Sequence, residues 1–446
     1  MADDLGIGDL SCYGQQQFRT PNIDRLAQEG LRFTDAYAGC TVCAPSRSVL
    51  MTGLHMGHTS IRSNPGGAPL ISTDVTVAQV LKNTGYATGL FGKWGLGDVG
   101  TEGVPSKKGF DESYGYLHQV HAHYFYPRFL YHNEKQVPLT GNGDGRRVTY
   151  SHDAITEKAL AFIERNRSRP FFCYVPFTIP HLELLVPEDS VAKYRGKFPE
   201  RAYLDPRKHY ADQPEVRATY AGMVDRLDRD VGRITSLIGK LGLDNDTIVF
   251  FTSDNGAATP LFSEHHFNST AGLRGHKQNL YEGGIRAPMI ARWKGAIAAG
   301  RTSAHTWYFA DFLPTAAELA SAKAPGGLDG ISIMPTLVGE KRAGRSQQQH
   351  EYLYWELPRH DAKTGLFRNE TPMQALRMGE WKAVRPKPDG ALELYHLPSD
   401  PAESKNVAAA QPRVMKRVET ILASARTEPR VQREPEDGWY GKRETA

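Results

Sequence analysis

The 446-residue chain reads as an α/β protein: a large, mostly parallel sheet sandwiched by helices, followed by a smaller α+β domain with an antiparallel sheet. Three observations predict this. Short apolar runs alternate with segments of helical periodicity, the pattern of a sheet covered on both faces. Two of those runs, residues 170–175 and 247–252, are almost continuously apolar, as strands buried on both faces are. Beyond Gly339 the pattern changes to short, closely spaced strands.

The elements follow in order. After the turn-rich stretch Gly6 to Gly14, Thr20 reads as the N-cap of a helix with Pro21 at its first position and Gly30 as its stop. Leu31 to Tyr37 alternates as one strand. A proline at 45 suits a first helical turn, so Val49-Leu50-Met51 continues a helix that starts at Cys43. Val77, Val80 and Leu81 mark a helix ending near Gly85, and Ala87 to Phe91 is a strand delivering Gly92-Lys93-Trp94-Gly95. Lys107 to Tyr116, rich in glycine, reads as a loop. Ile155, Ala159, Phe162 and Ile163 recur at helical spacing before the strand 170–175, which ends at Pro180-His181. A helix from about Arg217 leads to the strand 247–252, with Ser253-Asp254-Asn255-Gly256 as the turn at its end. Gly275-His276-Lys277 and Tyr281-Glu282-Gly283-Gly284 precede the strand Pro288 to Trp293. The polar stretch 341–350 is a linker. Strands around Tyr352–Trp355, Gln374–Val384 and Leu392–Tyr395, with a helix at 414–425, form the small domain. The expected division is 1–340, 350–427 and a charged tail, 428–446.

Composition narrows the function. Apolar content of 40% and charged content of 23% suit a soluble globular chain, and a net charge of +4 with scattered basic residues gives no case for nucleic-acid binding. Four cysteines are too few for a disulfide scaffold and lack zinc spacing. There is no transmembrane run and no signal peptide.

Chemistry concentrates at Cys43. It sits at a helix start, where free N–H groups and the dipole favour an anion, and Arg47 lies one turn on, placing a cation beside it. Reactive residue types repeatedly follow strand ends, where open α/β sheets bind ligands. Asp3, Asp4, Asp254 and Asn255 offer hard oxygen ligands at two strand ends, although each motif alone also reads as a simple turn.

Cys43-Ala44-Pro45-Ser46-Arg47 with Thr52-Gly53 resembles the signature of type I sulfatases of the alkaline-phosphatase-like superfamily. Pro21-Asn22-Ile23-Asp24, residues 309–315 and 394–401 extend the resemblance over nearly the whole chain. It implies that Cys43 is oxidised to formylglycine by a maturase. It also implies that one Ca2+ is bound by Asp3, Asp4, Asp254, Asn255 and the modified Cys43, and that Lys93, Lys277 and His181 contact the sulfate or leaving group. The implied reaction is attack of a hydrated aldehyde on sulfur, loss of the alcohol with a proton from His181 or Lys277, and elimination of sulfate. Relatives carry Asp-Asp-x-Gly at the end of an apolar strand behind an export signal. The expectation is therefore a strand and leader before Met1, and a periplasmic or secreted protein.

One position departs from the family pattern. Many sulfatases have histidine where this chain has Gly95. A subset with the glycine carries an Ala-His-x-aromatic-Tyr-Pro segment, present here as residues 122–127. His123 is thus the expected replacement imidazole, with His121 second. The expected substrate is a sulfated carbohydrate, because the loops 107–145 and 187–213 are rich in polar and aromatic residues. The alternatives are a phosphonate monoester or phosphodiester hydrolase of the same superfamily, and a catalytically dead binding protein.

Overall fold

The computed structural model describes residues 1–430 except 65, 259–263, 360, 362, 363 and 365, and the backbone alone of 264 and 265. The end of the expected tail, 431–446, lies outside the described residues. Fifteen strands occur among those described: β1 (Leu31–Phe33), β2 (Ala36–Tyr37), β3 (Ala87–Lys93), β4 (Glu112–Tyr116), β5 (Phe129–His132), β6 (Lys135–Pro138), β7 (Phe171–Tyr174), β8 (Val249–Thr252), β9 (Met289–Arg292), β10 (Arg301–Ser303), β11 (Trp307–Tyr308), β12 (Leu353–Leu357), β13 (Met373–Met378), β14 (Trp381–Arg385) and β15 (Glu393–His396).

They form a mixed α/β body. One sheet has the order β6-β5-β4-β3-β7 and another β10-β1-β9-β8, while β2 pairs with β11. β3 runs parallel to both β4 and β7, whereas β5, β6 and β9 add antiparallel pairs. β7 and β8 flank an apolar hollow, a 250 Å³ cavity lined by Phe171, Phe172, Ile238, Phe250 and Leu319 among others. The backbone of Met1–Asp3 ties the two sides together: Ala2 N donates to Thr252 O at 2.8 Å, and Phe177 N to Met1 O at 2.9 Å. Asp3 and Asp4 are thereby held from both sides. β12 to β15 make an antiparallel meander. It packs Leu353, Tyr354 and Trp355 into the core that also holds Tyr37, Val49 and Phe309.

Four local expectations need correction. Residues 112–116, expected as loop, are strand β4: Gly115 lies across from Gly92, and pairing to β3 overrides the weak strand propensity of Ser113 and Gly115. Leu31 to Tyr37 breaks into β1 and β2, which join different sheets. Thr20 precedes the helix Pro21–Gln28 but its side chain does not cap it. Instead Asp228, on the long helix Val216–Lys240, accepts the N–H groups of Asn22 and Ile23 at 3.0 and 2.8 Å. Glu29, not Gly30, caps the end of the Pro21–Gln28 helix, and Gly30 beyond it is not in the left-handed region; it is a glycine for lack of room, since a β-carbon there would lie 2.3 Å from Ala291 O.

Candidate active site

Cys43 opens the helix Cys43–Thr52, with Val42 at its N-cap and Gly53 closing it in the left-handed conformation, φ 70°. All ten residues are buried, so this helix start points into the molecule. The Cys43 sulfur lies 3.5 Å from Asp3 Oδ1 and 3.5 Å from Lys277 Nζ. Ser46 Oγ donates to the Asp254 carbonyl at 2.5 Å and accepts from Gly39 N, tying the first helical turn to the end of β8.

The four oxygen-bearing residues converge. Asp4 N donates to Asp254 Oδ1 at 3.1 Å, and Asn255 Nδ2 donates to Asp4 Oδ1 at 2.8 Å. Asp4 has φ 64°, a left-handed backbone uncommon outside glycine. Three cations thread between the carboxylates. Arg47 grips Asp254 Oδ2 through Nε and Nη2 at 3.0 and 2.7 Å, with Asp3 at 3.5 Å. Lys93 Nζ reaches Asp3 at 2.8 Å, and Lys277 Nζ reaches Asp4 at 2.8 Å. His181 Nε2 stands 3.5 Å from Asp4 Oδ2. Its Nδ1 lies against Leu182 O. His123 stacks on His181 with ring centroids 4.7 Å apart. These residues thus meet at one place: Lys93 on β3, Cys43 and Arg47 on the helix, Asp254 and Asn255 just after β8, Asp3 and Asp4 near residue 1, and His123, His181 and Lys277 on turns and connecting segments.

Electrostatics revises one expectation. Arg47 stands close enough for its charge to be felt with Cys43, but its guanidinium hydrogen-bonds Asp254 and the Lys93 carbonyl, with Asp3 at 3.5 Å, rather than the sulfur. Burial outweighs the nearby lysines and pushes the Cys43 thiol up to about 12, so the helix dipole does not produce a thiolate here. Burial and the neighbouring Asp3 charge raise the Asp254 carboxyl. Burial, then Lys277 and Lys93, holds His181 well below the usual histidine value, and burial, then His181, does the same to His123. Burial works against the Lys277 ammonium, but Asp4, Cys43 and Asp3 overcome it and push it well above the usual lysine value.

The donor set fits a hard divalent cation. Asn255 is fully buried and its Oδ1 has no hydrogen-bond partner among the described residues, an acceptor left over where three carboxylates already meet. Asp3, Asp4, Cys43 and His181 also present ligand atoms within 4.8 Å of one another.

A sequence profile of the family described as Sulfatase matches residues 1–322, nearly three quarters of the chain. The chain belongs to the sulfatase family. A second profile, the C-terminal region of N-sulphoglucosamine sulphohydrolase, matches residues 275–428. Human arylsulfatase A is 33% identical over 94% of this chain and 85% of its own length. N-acetylgalactosamine-6-O-sulfatase of Bacteroides thetaiotaomicron is 28% identical over 96% of this chain and 92% of its own. The crystal structure of Ps i-CgsB in complex with k-i-k-neocarrahexaose superposes with a TM-score of 0.77 at 27% identity, covering 97% of this chain and 94% of that one. This sulfatase is a sulfuric ester hydrolase, and the shared fold is the alkaline-phosphatase-like one with a C-terminal domain.

Two features of the sulfatase site were hidden in its sequence. At Gly95, φ 70°, a β-carbon would lie 2.3 Å from Gln119 Oε1. Gln119 fills the space over residue 95, and both its amide atoms are buried without a partner among the described residues. A polar residue beside an aromatic-rich loop was the only signal. The second feature is a seam of glycines. A β-carbon on Gly256 would meet Gly283 O at 2.1 Å, one on Gly283 would meet Gly275 O at 2.2 Å, and one on Gly284 would meet Asn279 O at 1.9 Å. Gly256 N also donates to Gly284 O at 3.0 Å, and Lys277 N to Ala257 O at 2.8 Å. The turn carrying Asp254 and Asn255 is therefore packed, backbone on backbone, against the turn carrying Lys277.

Proposed function

We propose that this sulfatase removes sulfate from a sulfated carbohydrate, using formylglycine made from Cys43 and one Ca2+ held by Asp3, Asp4, Asp254, Asn255 and the modified Cys43. The observation that carries the reading is the convergence of four oxygen-bearing side chains on a buried cysteine at a helix start, with one amide oxygen left unpartnered. When bound, the cation supplies charge neutralisation for the sulfuryl oxygens. Hydration of the aldehyde supplies a nucleophile and, unlike serine or cysteine, a second hydroxyl on the same carbon. The chain's own residues do the rest. Lys93 and Lys277 hold the sulfuryl oxygens. Lys277 Nζ, near both Asp4 and the Cys43 sulfur, gives the leaving oxygen its proton. Arg47 holds Asp254 in place through two hydrogen bonds and opposes the effect of burial on its carboxyl. His181 faces the leaving group, and His123, stacked on it, supplies the imidazole that Gly95 lacks.

The sugar preference is drawn from relatives: one acts on N-acetylgalactosamine 6-O-sulfate by its name, and another is solved with a neocarrahexaose. The test is sulfate release from a panel of sulfated mono- and disaccharides, run beside an aryl sulfate and a phosphonate ester, on protein co-expressed with a maturase. Turnover of a sugar sulfate, with an aldehyde detected at residue 43 by peptide mass, is the expected result. A phosphonate preference would move the chain to the related hydrolase reading. An unmodified thiol and no turnover would favour a binding protein.

A further inference from the structure

Behind His123 lies a group of rings that the proposed chemistry does not use. His123 Nδ1 is 2.9 Å from His209 Nε2 and 3.2 Å from Tyr210 Oη. The other nitrogen of His209, Nδ1, is 3.0 Å from the hydroxyl of Tyr124. His209 therefore spans two consecutive residues, 123 and 124, with one ring nitrogen each. His123, Tyr124 and His209 are all buried, at 6%, 3% and 3% exposure.

The loop that delivers His209 is built to hold it. Tyr203 and Gln213 exchange backbone hydrogen bonds at 2.7 and 2.8 Å, closing the loop at its base. Inside it the buried Asp205 carboxylate accepts the N–H groups of Arg207 and Tyr210 at 3.2 and 2.7 Å. Gln213 Nε2 donates to Leu184 O at 2.8 Å, fixing the loop base to the segment that follows His181. Each imidazole nitrogen is a donor or an acceptor, and which one is fixed by its partner. With His209 and Tyr210 both on Nδ1 of His123, that nitrogen is committed to the protein.

We propose that His209 is the positioning residue for His123: it fixes the orientation of that ring, so that Nε2 is the nitrogen serving the reaction. The inference rests on the reading of His123 as a participant in sulfate-ester cleavage.

The test is a double-mutant cycle on the maturase-treated enzyme with any sulfate ester it turns over. His209→Leu is expected to lower kcat about tenfold or more, with KM held within about twofold, because orientation of a proton-transfer group acts on the chemical step. His209→Gln, which keeps a polar group within reach of His123 Nδ1, is expected to recover part of the loss. In a His123→Ala background His209→Leu should change kcat by less than about twofold, since interacting residues are non-additive. Thermal melts of each variant separate a folding defect from this pattern. A full-sized effect of His209→Leu in the His123→Ala background, or wild-type kcat in His209→Leu, overturns the inference and leaves the role of His123 standing. Unchanged turnover in His123→Ala overturns both.

Discussion

At the strand ends, Asp3, Asp4 and Asp254 face Arg47, Lys93 and Lys277. Beneath the C-terminal sheet, Asp35, Glu282 and Glu403 face Arg286, Arg377 and Lys382. Both clusters are largely buried and both balance their formal charges. In the second, Lys382 Nζ sits between Glu282 at 2.8 Å and Glu403 at 3.0 Å, and Arg286 and Arg377 cover the ring of Tyr37 at 5.0 and 5.1 Å. It staples the meander to the body. Each cluster has a non-glycine residue in the left-handed region, Asp4 in the first and Glu403 in the second, but the first holds in addition a sulfur within reach of two charged groups and an amide oxygen without a donor among the described residues. Charge balance is what burial demands of any such cluster. A carboxylate oxygen of Glu403 also lacks a hydrogen-bond donor among the described residues, but it has the Lys382 ammonium 3.0 Å away; a reactive side chain beside a neutral amide oxygen is what separates a working site from a staple.

The sharpest way to break this distinction is to cross it by mutation. Cys43→Ala should abolish turnover, by roughly four orders of magnitude or more as expected for loss of a nucleophile, while the melting temperature stays close to wild type. Lys382→Met should do the reverse. It leaves two buried glutamates without their lysine, a loss of about 3–5 kcal/mol, read as a lower urea midpoint with kcat retained in the folded enzyme. A Lys382→Met enzyme that is stable but inactive would merge the two clusters into one functional unit.

Chelation tests the same contrast less drastically. Removal of divalent cations should cut activity by about 100-fold or more and lower the melting temperature, and Ca2+ should restore both. Asn255→Ala, which deletes the unpartnered oxygen, should weaken that restoration, whereas Lys382→Met should leave its Ca2+ dependence unchanged. Equal Ca2+ dependence in wild type and Asn255→Ala would remove that oxygen from the cation's ligands.

The smallest effect concerns pH. Burial, only partly relieved by Lys382, lifts the Glu403 carboxyl from its ordinary 4.5 to about 7, while Lys382 and Arg286 outweigh burial at Glu282 and bring it down to about 2. Between about 4.5 and 7 the folded chain holds a proton on Glu403 that the unfolded chain releases. Stability from this group is therefore full below 4.5 and falls as pH rises through 7. Glu282 contributes in the opposite sense, losing its share only as pH falls from 4.5 toward 2. Urea midpoints from pH 5 to 8 should decline in wild type and flatten in Glu403→Gln; an identical slope in both would clear Glu403 of the effect.

Much of the active site was legible because its residues sit in short stretches whose spacing carries chemistry. Cys43 to Gly53 and Ser253 to Gly256 each announce both a local structure and a reactive group, and the structure brings them together. Strand β4 was not legible, since Ser113 and Gly115 are poor strand formers locally and only pairing with β3 decides. The staple was invisible for another reason: its members run from Asp35 to Glu403, and no local pattern records such a contact. Arg47 shows the limit of spacing arguments. One helical turn places it on the face of Cys43, but a carboxylate at the end of β8 takes its guanidinium.

The glycine seam between the Asp254 turn and the Lys277 turn has a consequence for engineering. Even alanine at Gly256, Gly283 or Gly284 would wedge two backbones apart, so no gradual mutational route runs through that region. Directed evolution toward a new substrate has to work elsewhere, in the loops 107–145 and 187–213 but away from the Tyr210 hydroxyl that holds His123, and randomised libraries are best spent there.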